Sequence, residues 1–326
     1  MAVAARGRPL SPDRPGRGPQ PRQSRQPPGL VGQRTPTPRR GDPDHRRPRV
    51  SATSTDTWVE NRAPTGWHRL DLRELWAYRE LIGFLAIRDL KARYKQAALG
   101  MAWAVLQPLA GALIFTVVFH RVARLSSGDV PYLLFAFSGI SLWSYLSGGM
   151  QAAMESLVGN VGLVTKVYFP RMAAPVAAVL PGLLDLAIAL VILAVLMAVE
   201  GVSPGVEILT LPLWLAALVL LTLGVGLLLA TLNVRYRDVK SIAALAIQLW
   251  LFASPIAYAS TLVQGRWSWL YELNPMAGIV DGFRWAVFGT PQPGWGTVLC
   301  GAEVLLILGV GIAAFSRQER RFADVI

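Results

Sequence analysis

Residues 172–199 read MAAPVAAVLPGLLDLAIALVILAVLMAV, a run of 28 residues in which Asp185 is the sole charge. At about 1.5 Å per residue this run exceeds the roughly 30 Å hydrocarbon thickness of a bilayer, whereas a helix packed in a soluble core is shorter and carries a polar face. It therefore predicts a membrane span. Five further runs, residues 99–119, 131–150, 208–232, 242–259 and 297–315, have comparable length and apolarity, so the expected fold is an all-α membrane protein with six transmembrane helices. The composition agrees, with 53% hydrophobic and 16% charged residues over 326 positions and a mean hydropathy of +0.40.

Orientation follows from the short flanks of these runs, because lysine and arginine are retained on the cytoplasmic side. Arg88, Lys91, Arg93, Lys95, Lys166, Arg171, Arg235, Arg237, Lys240, Arg317, Arg320 and Arg321 fall on one side, against Arg121, Arg124, Arg266 and Arg284 on the other. A multi-pass protein of the plasma (inner) membrane with both termini cytoplasmic is expected, and an even number of spans is consistent with that.

The net charge of +12 is concentrated at one end. Residues 1–50 hold 12 arginines against Asp13, Asp42 and Asp44, together with 11 of the 23 prolines. Such a segment has too few aliphatic side chains to offset the entropy of ordering, so residues 1–58 are expected to be a disordered tail. Either it binds anionic lipid headgroups or it is a solvated extension. Residues 59–98 are assigned to a cytoplasmic linker and an interfacial helix, and residues 99–326 to the transmembrane domain. Without the tail the chain carries only +3, which argues against a nucleic-acid partner.

Several kinds of chemistry lack the residues they need. Cys300 is the single cysteine and the three histidines are scattered, so neither a disulfide nor a metal cluster is expected. No G-x-x-x-x-G-K-[ST] phosphate loop occurs. No catalytic residue and no cofactor is assigned, and any ATP used must be bound by another subunit.

Two segments are apolar without being plain spans. In residues 72–94, LRELWAYRELIGFLAIRDLKARY, the positions Leu75, Tyr78, Ile82 and Leu85 recur at near-helical spacing, the pattern of an amphipathic helix lying on the cytoplasmic interface. Residues 262–288 mix Trp267, Trp269, Tyr271 and Trp285 with Arg266, Glu272, Asp281 and Arg284, and Asn274-Pro275 interrupts them. This suits two short re-entrant helices between the fifth and sixth spans.

Polar and aromatic residues inside the spans define the candidate conduit. Asp185 and Glu303 are carboxylates where an unpaired charge costs several kcal/mol, so Asp185 is assigned to the translocation pathway, with a hydrogen-bonded packing role as the alternative. Trp103, Phe135, Phe137, Trp143 and Tyr145 are assigned to the same pathway because aromatic faces stack on the C–H faces of sugars. Helix packing or an interfacial belt is the simpler reading of the same rings. Pro108, Pro175, Pro181 and Pro255 are expected to bend spans, and Gly148, Gly149, Gly224 and Gly226 to allow close helix approach.

The cytoplasmic loops carry the more specific signal. Residues 155–170 are expected to form one short helix presenting Lys166 and Tyr168 ahead of Arg171, and residues 233–239, NVRYRDV, a tight charged link. Together with Arg88-Asp89-Leu90-Lys91 through Tyr94, Leu99-Gly100, Trp103, Gln107-Pro108, LVGN at 157–160, KVYFPR at 166–171, Ser254-Pro255 with Tyr258, NPMAG at 274–278, GFRWA at 282–286 and FADVI at 322–326, they make the chain resemble the ABC-2 type permeases that export polysaccharides, including O-antigen and teichoic-acid exporters. The likeness extends over about residues 72–326. It implies a homodimer of six-helix subunits, each docked on a separate cytoplasmic ABC ATPase and moving a lipid-linked glycan to the outer leaflet. On that likeness Arg88, Asp89, Arg93, Tyr94, Asn160, Lys166, Tyr168 and Arg171 are assigned to ATPase coupling. Two other readings stand beside it. One is an ABC-2 exporter of small hydrophobic compounds. The other is a membrane enzyme acting on lipid-linked sugars, whose one D-x-D motif, Asp42-Pro43-Asp44, falls in the tail.

Overall fold

The structure, a computed structural model, describes residues 72–95, 102–125, 127–162, 169–236, 238–262, 268–292 and 294–319. All belong to the compact unit 63–326. The tail, Leu99-Gly100, Lys166, Tyr168, Arg237, Arg266 and residues 322–326 lie outside the described residues.

Among the described residues every regular element is helical. Two helices, α1 (Leu72–Ala77) and α2 (Arg79–Lys95), precede α3 (Ala102–Val122), α4 (Tyr132–Gly159), α5 (Ala173–Glu200) and α6 (Val206–Arg235). Then follow α7 (Val239–Ala253), α8 (Ser268–Glu272), α9 (Pro275–Phe288) and α10 (Gly296–Gln318). Helices α3, α4, α5, α6 and α10 are long and apolar enough to cross a membrane. The protein is thus a multi-pass membrane protein by the length and composition of five helices.

The expected fifth span, residues 242–259, takes a different form. Helix α7 has 15 residues, about 22 Å of rise, which falls short of the hydrocarbon thickness. It stops because Ser254 is extended, with φ −106° and ψ 150°, and Pro255 has no amide to continue the ladder. Helix α4 differs in the opposite sense. It runs 28 residues to Gly159 and so absorbs the start of the short helix expected over residues 155–170, since no proline intervenes before Asn160.

Helix α4 is the centre of the bundle. Its most apolar window is 72% buried, against 11% for α3, which leaves Leu106, Leu113, Ile114, Val117 and Val118 of α3 exposed. The main core gathers Phe137, Leu142, Leu146 and Met150 of α4, Leu218 and Leu221 of α6, and Ile279, Val280 and Phe283 of α9. Lipid tails are as apolar as these side chains, so close packing and polar links must hold the helices together. Helices α6 and α10 show how close: a methyl built on Gly224 would meet the Leu308 backbone at 2.8 Å, and one on Gly311 would collide with the Gly224 carbonyl oxygen. Gly149 and Gly226 likewise sit against Thr222 and Ala153, whereas Gly148 faces open space.

A second, smaller cluster closes the other end of the bundle. It contains Leu157, Phe169, Met172, Ala173, Ala174, Leu227, Ala230 and Phe315, and α1 and α2 pack on it through Leu75, Tyr78, Leu81 and Ile82, with Leu85 also buried. The apolar spacing seen in residues 72–94 is therefore the face that binds protein. The reverse side is mixed: Trp76, Phe84 and Ile87 are exposed beside the cations. Helix α5 joins the two clusters and its helical bonding is interrupted at Leu180-Pro181. The start of the segment before the break packs with α2 on the smaller cluster, while Val179 and the segment after the break pack in the main core.

Candidate functional site

Polar cross-links gather at one end of the bundle. Arg88 of α2 donates to Asn160 Oδ1 at 2.8 Å and pairs with its neighbour Asp89 at 2.7 Å. Lys240 at the start of α7 pairs with Glu155 near the end of α4 at 2.6 Å, and Asn233 of α6 donates to the Met154 carbonyl at 2.9 Å. The Arg171 amide donates to the Glu319 carboxylate at 2.9 Å and its guanidinium to the Glu319 carbonyl. The structure therefore brings Arg88, Asp89, Asn160 and Arg171 to a single end, where the C-terminal ends of α4, α6 and α10 meet the N-terminal ends of α5 and α7. These pairs are partly solvated and each is worth at most about 1 kcal/mol, so they align the helix ends more than they stabilise the fold. Glu155, Asn233 and Glu319 join this set although the sequence reading gave them no role. Their partners lie 79 to 148 positions away, or 85 in the case of Glu155 and Lys240, and no local pattern reveals that.

Above this end lies a cavity of about 320 Å³ between α3, α4 and α5. Trp103, Gln107 and Pro108 line it from α3, Ser141, Ser144, Tyr145, Gly148 and Gly149 from α4, and Gly182, Asp185, Leu186 and Ala189 from α5. Arg93 and Tyr94 close its edge from the last turn of α2. Two wall features are local consequences of the sequence. Gly148 opens the wall because it has no side chain, and Tyr145 lies flat against Gly182, where a methyl would come within 3.2 Å of the ring. Hydroxyls, an amide and rings around one void suit a ligand with alternating apolar and polar faces.

Asp185 has partners that its position in a span did not announce. Arg93 Nη1 donates to its Oδ2 at 2.6 Å and the Tyr94 hydroxyl donates to its Oδ1. Burial first, and then the bond to Asp185, push the Tyr94 hydroxyl up to about 12, so at neutral pH it remains a proton donor. The carboxylate is thus accommodated by a cation and a hydroxyl, and it joins a residue set assigned to coupling with one assigned to the pathway.

The aromatic candidates separate. Trp103 and Tyr145 line the cavity. Phe137 is fully buried in the main core, Trp143 meets Trp250 edge-on at 6.0 Å between ring centroids, and Phe135 lies 3.4 Å beneath the Arg284 guanidinium. None of these three touches the cavity. Glu303 has no hydrogen-bond partner among the described residues.

Arg284 was expected at an outer flank, and the structure places it elsewhere. It is 2% exposed and donates to the carbonyls of Pro255 at 2.6 Å, Phe135 at 2.9 Å and Ile256 at 3.1 Å. Asn274 works beside it: its amide donates to the Ala253 carbonyl at 3.0 Å, while its Oδ1 accepts from Trp250 Nε1 at 2.9 Å and from the Met276 amide at 3.1 Å. Backbone freed by the Ser254-Pro255 break is thereby satisfied inside the protein. The arginine of GFRWA and the asparagine of NPMAG are structural pins for that break. The available signal was an arginine on an otherwise apolar helical face, close in sequence to an interrupted span.

Comparison with known proteins agrees with this architecture. A family model described as ABC-2 type transporter matches residues 80–288. The chain is 28% identical to an O-antigen export system permease protein of Klebsiella pneumoniae over 76% of its own length and 95% of that protein. It is 28% identical to an O-antigen export system permease protein of Myxococcus xanthus over 78% of its length and 98% of that protein. A polysialic acid transport protein of Escherichia coli is 22% identical over 72% of the chain and 92% of the relative.

Proposed function

The chain belongs to the ABC-2 type transporter family, and from that premise we propose that it is the permease subunit of an ATP-driven exporter of polysaccharide. The observation that carries this reading is the near end-to-end match to O-antigen export permeases. The cargo is a lipid-linked glycan moved from the cytoplasmic to the outer face of the inner membrane. Two copies form the conduit and a separate cytoplasmic ATPase drives each copy, since the sequence holds no phosphate loop. Both termini are cytoplasmic; α7, with the extended segment after it, completes the sixth crossing, and α8 and α9 are the re-entrant pair.

In mechanism the chain breaks no bond. ATP-driven closure of the partner displaces the end of the bundle where Arg88, Asn160 and Arg171 sit, and the cross-links there pass that displacement to α2, α4, α5 and α10. The test is deletion of the coding region followed by complementation. Surface glycan is expected to disappear, with lipid-linked glycan accumulating inside, and to return with the intact gene. Normal surface glycan in the deletion strain contradicts the reading. Accumulation of a small hydrophobic compound instead selects the alternative cargo.

A further inference from the structure

The two ends of α5 belong to different parts of the molecule. Ala173, Ala174 and Val176 pack on the smaller cluster with α2, Val179 and residues 181–200 pack in the main core, and the helical bonding is interrupted at Leu180-Pro181. Proline supplies no amide there, so this is where the helix bends most cheaply. One polar link reaches across the break from the α2 side to the core side. Arg93 and Tyr94, adjacent residues in the last turn of α2, occupy both oxygens of the Asp185 carboxylate, one turn beyond the break. All three side chains also border the cavity.

We propose that Asp185 is a positioning residue for transport: acting through Arg93 and Tyr94, it clips the end of α2 to the cavity wall across the Pro181 hinge, and release of the clip opens that wall when α2 is displaced. This rests on the permease reading above and adds to it a coupling role for a residue first assigned to the conduit. Three features fit a link that opens and recloses. The pair is partly solvated, with side-chain exposures of 43% for Arg93 and 30% for Asp185, so separating it does not strand two dry charges. Arg88, one turn and a half earlier on α2, is tied to Asn160 at the end of α4, so displacement of that end reaches the clip through one short helix. The cavity beside Asp185 supplies the water that a freed carboxylate needs.

The experiment is a double-mutant cycle on the complete complex with its ATPase in proteoliposomes, using Asp185→Asn, Arg93→Gln and the double variant, and reading glycan exported per ATP hydrolysed. Each single variant is expected to lower that ratio by a factor of about 5 to 10 while leaving ATP hydrolysis in place, and the double variant is expected to be no worse than either single. Asp185→Glu, which keeps the carboxylate, restores most of the ratio. An unchanged ratio in both singles, or losses that multiply in the double variant, overturns the proposal. Arg93 is on the exposed edge of α2, so Arg93→Gln gives the reading even where Asp185→Asn yields no protein. A wild-type complex that hydrolyses ATP without exporting glycan instead defeats the underlying function, which keeps the two failures distinct.

Discussion

At the scale of single residues, Arg284 decides more than any other side chain described. It supplies donors to three carbonyls around the Ser254-Pro255 break and shares its surroundings with Asp281, which accepts from Ser260. Two effects compete when it is removed. Desolvating the guanidinium is costly, so an apolar replacement recovers that cost; against this, each abandoned carbonyl costs about 1–3 kcal/mol. Three acceptors outweigh one recovered charge, and Arg284→Leu is expected to destabilise the protein by roughly 3 kcal/mol or more. Thermal unfolding of the purified protein checks this, and an unchanged midpoint refutes it. Arg284→Lys is expected to recover little, because a point charge does not reproduce the planar fork that reaches three acceptors. Residue identity was easy to read in the sequence and residue partnership was not. Arg284 read as a flank cation and Asp185 as a pathway carboxylate with no partner named, because their partners lie 28 to 149 positions away.

At the scale of elements, apolar length was legible wherever nothing interrupted it. Helices α3, α5, α6 and α10 fall within a few residues of the expected runs, since some twenty consecutive apolar residues have no soluble alternative. The errors lie at ends and breaks. Helix α4 continues past Met150 because its last turns bury Ala153, Met154 and Leu157 against neighbours, which hydropathy does not report. Helix α7 ends early because a proline takes away one amide. Small residues were read correctly as permitting approach, and α6 against α10 gives a sharp case. Gly224→Ala is expected to cost about 1–3 kcal/mol, since the atoms it meets are Leu308 backbone and cannot rotate away. Gly309→Ala, where a methyl meets nothing within 4 Å, is expected to be neutral or slightly stabilising. Equal effects of the two substitutions on the unfolding midpoint argue against the close helix contact.

At the scale of the whole molecule, the burial of Arg284 removes it from the flank count, so the sequence holds three cations, Arg121, Arg124 and Arg266, on the expected outer flanks against twelve on the expected cytoplasmic ones. The polar cross-links lie at the cation-rich end, with α2 across it and the cavity beyond. The function proposed above assigns the end where Val158 is exposed to the energy-supplying partner, and the end where Trp295 caps α10 to the exterior. The most direct measurement is photo-cross-linking in living cells from an unnatural side chain placed at Val158, with Trp295 as the opposite site. The account predicts a covalent adduct with a cytoplasmic ATPase from position 158 and none from position 295. An ATPase adduct from position 295, or its absence from position 158 in cells that export glycan normally, contradicts it.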